Sequence, residues 1–323
     1  MLTVIDVTAD VNPDVLIISI EDFLMGKDIN NDNSFMIRFR SSVILMAVAI
    51  TAMVLGGYVL FGVIVLVTMI GLMELYRVVG VNKSGVGIAG YVVAVLYFGY
   101  KLFTEFFLPK MNIIDFQFDY PTLFSIWSHG FYIIIAVLLI SILAIYVLTF
   151  PKFNSEQVTM VLFGFFYVVM PLMYIFQTRQ MECGAYNVWL IFIGSWGSDT
   201  MAYVVGRKLG KTKIAPKLSP KKSLEGLIGG IIGAALIGVI YAIIFRNELY
   251  STFSNPILIF GLTGAIGSVV SQIGDMAASA IKRNKGIKDY GTLIPGHGGI
   301  LDRFDSVIFI APIVYLLLNI AAK

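Results

Sequence analysis

From Ser42 to Met73 the chain carries no charged residue. A helix needs roughly 20 residues to cross about 30 Å of hydrocarbon, and this run is longer, with Gly56-Gly57 inside it. We therefore read it as two helices joined at the glycine pair. Comparable apolar runs recur to the C-terminus, which excludes a protein with a single anchor. Their continuity excludes the alternating segments of a membrane barrel. Composition agrees, since 58% of the residues are hydrophobic and 13% charged, against about 25% charged in an ordinary soluble domain. Mean hydropathy is +0.87. The expected fold is an all-α polytopic membrane protein of about nine spans, at 42–57, 59–78, 86–108, 130–150, 158–177, 186–206, 225–245, 257–281 and 304–321.

Loop charge gives an orientation, because Lys and Arg are retained on the cytoplasmic side. With Arg38 and Arg40 inside, the inner segments hold 17 Lys and Arg, and the outer ones hold 4: Lys110, Arg179, Arg246 and Lys323. This bias puts the N-terminus in the cytoplasm and the C-terminus outside. The two richest basic loops, 207–224 and 282–303, fall on the inner side although a hydrophobic hairpin separates them, so they can build one site. Residues 1–35 carry Asp6, Asp10, Asp14, Glu21, Asp22, Asp28 and Asp32 against Lys27 alone, the reverse of a secretory leader. At Met36 the chain turns to Met-Ile-Arg-Phe-Arg and then apolar, like a short cytoplasmic start. We expect 1–35 to be a dispensable extension, 36–178 an N-terminal region of about five spans, and 179–323 a C-terminal catalytic region. The one cysteine, Cys183, excludes an intramolecular disulfide, and two histidines are too few for a histidine-rich metal site.

Several polar residues stand where a bilayer protein rarely tolerates them. Asp199 lies near the inner end of the sixth span, in Gly194-Ser195-Trp196-Gly197-Ser198-Asp199-Thr200. It fits either a functional carboxylate or a packing residue satisfied by Ser195 or Thr200, with small residues letting helices approach. In the eighth span, Asp275, Ser279 and Lys282 follow at i, i+4 and i+7 and share one helical face. Asp302 and Asp305, at i and i+3, project together from the first turn of the last span and suit a hard cation. Capping is the plainer role for them, but it leaves the adjoining Pro295-Gly296-His297-Gly298-Gly299 turn unexplained. Such a turn offers backbone N–H groups to phosphate oxygens. Lys217 to Gly226, with Lys221, Lys222 and Ser223, reads as an anion contact at a helix start or as a solvated basic loop. The glycines from Gly226 to Gly233 lie in a span with no preceding strand, so they are not a dinucleotide fingerprint. His129 marks a membrane interface, and Lys101 with Glu105 forms an i, i+4 pair. Glu74 with Arg77 reads as a local pair, an auxiliary site role being left open.

The stretch Ser279 to Asp305, SAIKRNKGIKDYGTLIPGHGGILDRFD, resembles the signature of the bacterial phosphatidate cytidylyltransferase (CDP-diacylglycerol synthase) family. The segments SDTMAYVVGRKLGKTKIAPKLSPKKSLEG and GDMAASAIKR are similar to that family's companion motifs, in the same order. The likeness covers the C-terminal 140 residues or so, the earlier spans matching mainly in hydropathy. It implies transfer of CMP from CTP to phosphatidate, giving CDP-diacylglycerol and pyrophosphate at the cytoplasmic face of the inner membrane. It further implies Mg²⁺ on Asp275, Asp302 and Asp305, with a second, monovalent cation left open. Lys288, Asp289 and His297 become active-site residues, and Asp199, Lys221, Lys222, Ser223, Ser279, Lys282, Arg283 and Arg303 substrate-binding ones. The partners expected are the two substrates and membrane lipids, with no nucleic acid, and a homodimer is left open. A phosphomonoester's second pKa is near 6, so phosphatidate is already a nucleophile at neutral pH and needs no strong base. A transporter would also carry intramembrane aspartates, but matching interrupted spans in two halves are not seen. A CDP-alcohol phosphotransferase would require an aspartate-rich motif on adjacent helical turns, which this sequence lacks. A CTP-dependent lipid kinase, or a cytidylyltransferase acting on an isoprenoid phosphate, stays open.

Overall fold

The computed structural model describes residues 43–107, 120–216, 218–294 and 298–323, and of 120–128 the backbone alone. The helices are α1 Val43–Leu55, α2 Gly57–Val78, α3 Gly85–Phe107, α4 Tyr120–Leu148, α5 Ser155–Gln180, α6 Gly184–Leu209, α7 Leu224–Ile244, α8 Pro256–Asn284 and α9 Leu301–Ala321. All but α1 contain a segment long and apolar enough to cross a membrane, which makes eight such helices among the described residues. The chain is thus an all-α, multi-pass membrane protein. Of the expected first span, 42–57, the described part is the apolar helix α1, about 20 Å long at about 1.5 Å per residue. The expected break does fall at the glycine pair, where Gly56 and Gly57 have φ of 62° and 48°, a region that residues with a Cβ seldom adopt.

Polar residues at the loop ends start the helices as capping chemistry requires. Ser84 accepts the Gly87 N–H, Ser223 that of Gly226, and Asn255 that of Leu258 with Pro256 at the first helical position. Asn154 and Gln157 exchange side-chain and backbone bonds in a full capping box. Besides the π-helical turn Phe103–Phe107 at the end of α3, two helices carry a widened π-helical turn within their length, Phe165–Val169 in α5 and Ile193–Gly197 in α6. Each inserts one residue into the helical repeat and so turns the rest of its helix to a new face.

Loop contacts sort the helix ends into two groups. At one end Lys285, after α8, pairs with Glu156 at the start of α5 at 2.6 Å. At the other, Arg179 Nε donates to the Met53 carbonyl at 2.9 Å, and Lys323 Nζ to that of Tyr250 at 2.8 Å. The first group includes the loops 210–223 and 285–300, which with the adjoining helix ends, 207–209, 282–284 and 301–303, carry 12 of the chain's 23 Lys and Arg. Helix α9 packs against α8, α6, α5 and α2, and so joins the N-terminal helices to the C-terminal ones.

Candidate active site

The site forms where the basic ends of α6, α8 and α9 meet. The widened turn in α6 precedes Ser198, whose hydroxyl is buried against that of Ser268 on α8 at 2.6 Å. Gln272 Nε2, one turn further along α8, donates to Ser268 and to the Leu227 carbonyl of α7. These bonds fasten the three helices together, and Asp199 comes directly after this seam.

Lys222, on the loop before α7, brings its Nζ to 2.5 Å from Asp275 Oδ2, as an ion pair rather than an aligned hydrogen bond. Lys282 Nζ stands 2.8 Å from Asp302 Oδ1 and 3.9 Å from Asp305 Oδ2. Although Asp275 and Lys282 share a face of α8, each finds its ion-pair partner on another segment. Asp302 is fully engaged, because its Oδ2 also accepts the N–H of Tyr290 at 2.8 Å and of Gly299 at 2.9 Å. Asp305 lines one cavity together with Asp199 and Asp302, and Asp199 lines another with Lys222, the partner of Asp275. Four carboxylates, on Asp199, Asp275, Asp302 and Asp305, therefore share a neighbourhood with two ammonium groups.

Two cavities adjoin this cluster. The larger, about 540 Å³, has a basic rim of Arg207, Lys213, Lys221 and Lys222 beside the exposed Tyr203, with the buried Gly226 and Gln272 further in. The smaller, about 270 Å³, is bounded on one side by Leu45, Met46, Trp196 and Phe304 and carries Asp302, Arg303, Asp305 and Ser306. Asp199 lines both.

The other expected site residues divide. Lys288 and Asp289 are exposed on the 285–300 loop, where Asp289 packs near Gly298. Arg283 donates to the Ile287 carbonyl at 3.0 Å and so closes that loop. Ser223 is buried as the cap of α7. Ser279 is half-buried on α8. His297 lies outside the described residues. Among the described residues no group of three Asp, Glu, His or Cys is gathered to hold a metal ion.

A family model described as "Cytidylyltransferase family" matches residues 36–321. The chain belongs to the cytidylyltransferase family. Its curated relatives include the phosphatidate cytidylyltransferase of Bacillus subtilis (strain 168), 33% identical over 53% of this chain and 62% of that protein. The protein of the same name from Staphylococcus saprophyticus is 31% identical over 53% of this chain and 63% of its own length. That from Staphylococcus aureus (strain COL) is 30% identical over 55% of this chain and 65% of its own length. The chain thus spans less than two thirds of the length of these curated relatives. The cytidylyltransferase match takes in α1 to α5 as well as the C-terminal motifs, further than the resemblance read from the sequence.

Three contributors to this candidate site were not assigned to it from sequence. Tyr290, 3% exposed, donates its hydroxyl to the Ala278 carbonyl and lies under Lys282, whose Nζ is 5.4 Å from the ring centroid. Burial pushes its phenol far above the usual tyrosine range, so it remains a proton donor. Tyr167, in the widened turn of α5, is buried and meets Phe309 of α9 edge to face, with ring centroids 6.0 Å apart. Glu74 does not pair with Arg77 as the local spacing suggested. Its two oxygens accept the N–H groups of Ile300 and Leu301. The available signal was position, for Glu74 is the first charge after the uncharged run.

Proposed function

We propose that this chain transfers CMP from CTP to phosphatidate, giving CDP-diacylglycerol and pyrophosphate. The observation that carries the reading is the pair of unlike cavities meeting at Asp199. The basic one suits a triphosphate, with Lys213, Lys221 and Arg207 as its anion contacts. The other, where Leu45, Met46, Ala49, Trp196 and Phe304 face Arg303 and the carboxylates of Asp199, Asp302 and Asp305, suits a lipid phosphate. Its chains stay among the apolar side chains, and its charge is met by Arg303 and by a cation on the carboxylates. In this arrangement a phosphatidate oxygen attacks the α-phosphorus of CTP. The bond from that phosphorus to the bridging oxygen breaks, and pyrophosphate leaves with the electron pair. The protein's task is to align two anions and shield their charge.

Mg²⁺ suits the donor chemistry, although the three carboxylates are not gathered around one point among the described residues. Asp275, Asp302 and Asp305 offer hard carboxylate oxygens, and each now faces an ammonium nitrogen, that of Lys222 or Lys282, whose place an ion would take. Four carboxylates against two ammonium groups also leave net negative charge, which would repel both substrates. When bound, the ion supplies charge neutralisation at the leaving pyrophosphate. Lys282 holds Asp302 and Asp305 in place, and Lys222 holds Asp275. The basic end of the bundle would face the cytoplasm of an inner membrane, where CTP is found.

The test is an assay of purified protein with phosphatidate, labelled CTP and Mg²⁺, with an isoprenoid phosphate as a parallel acceptor. Label in CDP-diacylglycerol supports the proposal, label in the isoprenoid product alone redirects it, and label in neither sinks it. Orientation is checked in a Cys183→Ser background, where Lys213→Cys should react only from the cytoplasm and Asn247→Cys only from outside.

A further inference from the structure

The last helix begins without a cap of its own. Ile300 at its N-cap position already has helical angles, φ −62° and ψ −44°, and no side-chain cap bond. The first N–H groups of a helix have no partner within it, and Ile300 and Leu301 are 7% and 1% exposed. Their partner comes from α2. Glu74 Oε1 accepts the Ile300 N–H at 3.1 Å and Oε2 the Leu301 N–H at 2.8 Å, across 226 and 227 residues of chain.

Glu74 is 2% exposed, and a buried carboxylate must be matched by donors. The two amides at the positive end of a helix do this. The loop is shaped around that carboxylate: a Cβ at Gly291 or at Gly299 would run into its atoms. From the other side, Asp302 accepts the N–H groups of Tyr290 and Gly299. The two described ends of the 290–301 turn, 290–291 and 299–301, are thus gripped between two carboxylates, one from α2 and one from α9.

We infer that Glu74 is a positioning residue for the reaction, setting the place of the 290–301 turn and, through it, of Asp302 and Asp305. This rests on the proposed function for its effect on turnover, but the grip itself can be measured apart from any activity. The larger cavity includes no residue of this turn or of α9. Loss of the grip should therefore act on the carboxylates and spare the nucleotide contacts.

The test uses the full chain in lipid and detergent, as Glu74→Ala, Glu74→Gln, Gly299→Ala and the Glu74→Ala/Gly299→Ala double variant. Hydrogen exchange is read without substrate or metal. In Glu74→Ala, the Ile300 and Leu301 amides should exchange at least about tenfold faster, as expected for losing bonds to a charged acceptor, with α7 unchanged. If the variant is active, half-saturating Mg²⁺ should rise at least about fivefold while the KM for CTP changes less than about twofold. A mere loss of folded protein would move neither constant. Glu74→Gln, which keeps one acceptor oxygen, should fall between. Gly299→Ala should copy Glu74→Ala, and the double variant should be little worse than either single one, since both act through one contact. Unchanged exchange in Glu74→Ala and Glu74→Gln, or additive effects in the double variant, would overturn the inference. Altered exchange in a protein that transfers no CMP would leave the grip standing and remove the proposed reaction instead.

Discussion

Helices α2 to α5 and helices α6 to α9 meet the same demand, packing in a solvent as apolar as their own side chains, by opposite means. The first group fills the space with rings. Phe61 lies 5.3 Å from Phe176 and 5.8 Å from Phe106, and Tyr97 lies 5.4 Å from Phe165, centroid to centroid. The second group removes side chains until backbones touch. A Cβ at Gly238 would come within 2.6 Å of the Phe260 carbonyl oxygen, and one at Gly264 within 2.7 Å of that of Ala234. Between such helices there is little hydrophobic drive, so close van der Waals contact and polar bonds hold them. Rings can shift and still touch, whereas backbone contact fixes the distance between helices. The carboxylates of the candidate site all stand on the second kind of framework.

This contrast can be broken at its most sensitive point first. Asp302→Asn removes a charge from the tightly held side and leaves the ring-packed side alone. We expect turnover to fall at least about 100-fold, since a bound metal supplies several kcal/mol and each 1.36 kcal/mol is tenfold. CMP transfer by correctly inserted protein is the measurement, and near-normal rates would reduce Asp302 to an anchor for the 290–301 turn. Next, Gly264→Val should force α7 and α8 apart at about 1–3 kcal/mol of overpacking. Its turnover per folded molecule should drop about tenfold, with a higher Mg²⁺ requirement. A valine there that left both unchanged would show that the helix spacing has slack.

The complementary change sharpens the comparison from the other side. Phe176→Ala deletes a fully buried ring and should cost about 3 kcal/mol in a denaturation assay. Turnover per folded molecule should nevertheless stay within about twofold of the parent. If Mg²⁺ dependence moved with it, the ring cluster would be part of the site's framework after all. The smallest effect is expected from deleting residues 1–35, which precede the family match. Insertion and CMP transfer should be unchanged, and lost transfer in an inserted truncation would assign the acidic segment a role.

The spans were legible because hydropathy is a local property. So was the i, i+4 pair of Lys101 and Glu105, found at 3.8 Å. The partners inside the site were less so. Asp275 meets Lys222 from another loop, and Lys282 turns to Asp302 and Asp305. Such choices depend on which way each helix faces, and the widened turns at Phe165–Val169 and Ile193–Gly197 rotate that facing with no mark in the hydropathy pattern. Glu74 illustrates the same limit. Its nearest opposite charge in sequence is Arg77, three residues on, yet its hydrogen bonds go to amides more than two hundred residues away.

That separation also has a meaning in time. Ribosomes add about 5–20 residues per second, so Glu74 is synthesised on the order of tens of seconds before the amides of Ile300 and Leu301. Throughout that interval α2 carries a carboxylate whose final donors have not yet been made. Water at the membrane surface, or a passing partner, must serve until α9 arrives. The candidate site is therefore closed only once α9 has left the ribosome, and a nascent chain that stops short of Leu301 has neither an anchored turn nor an occupied Glu74.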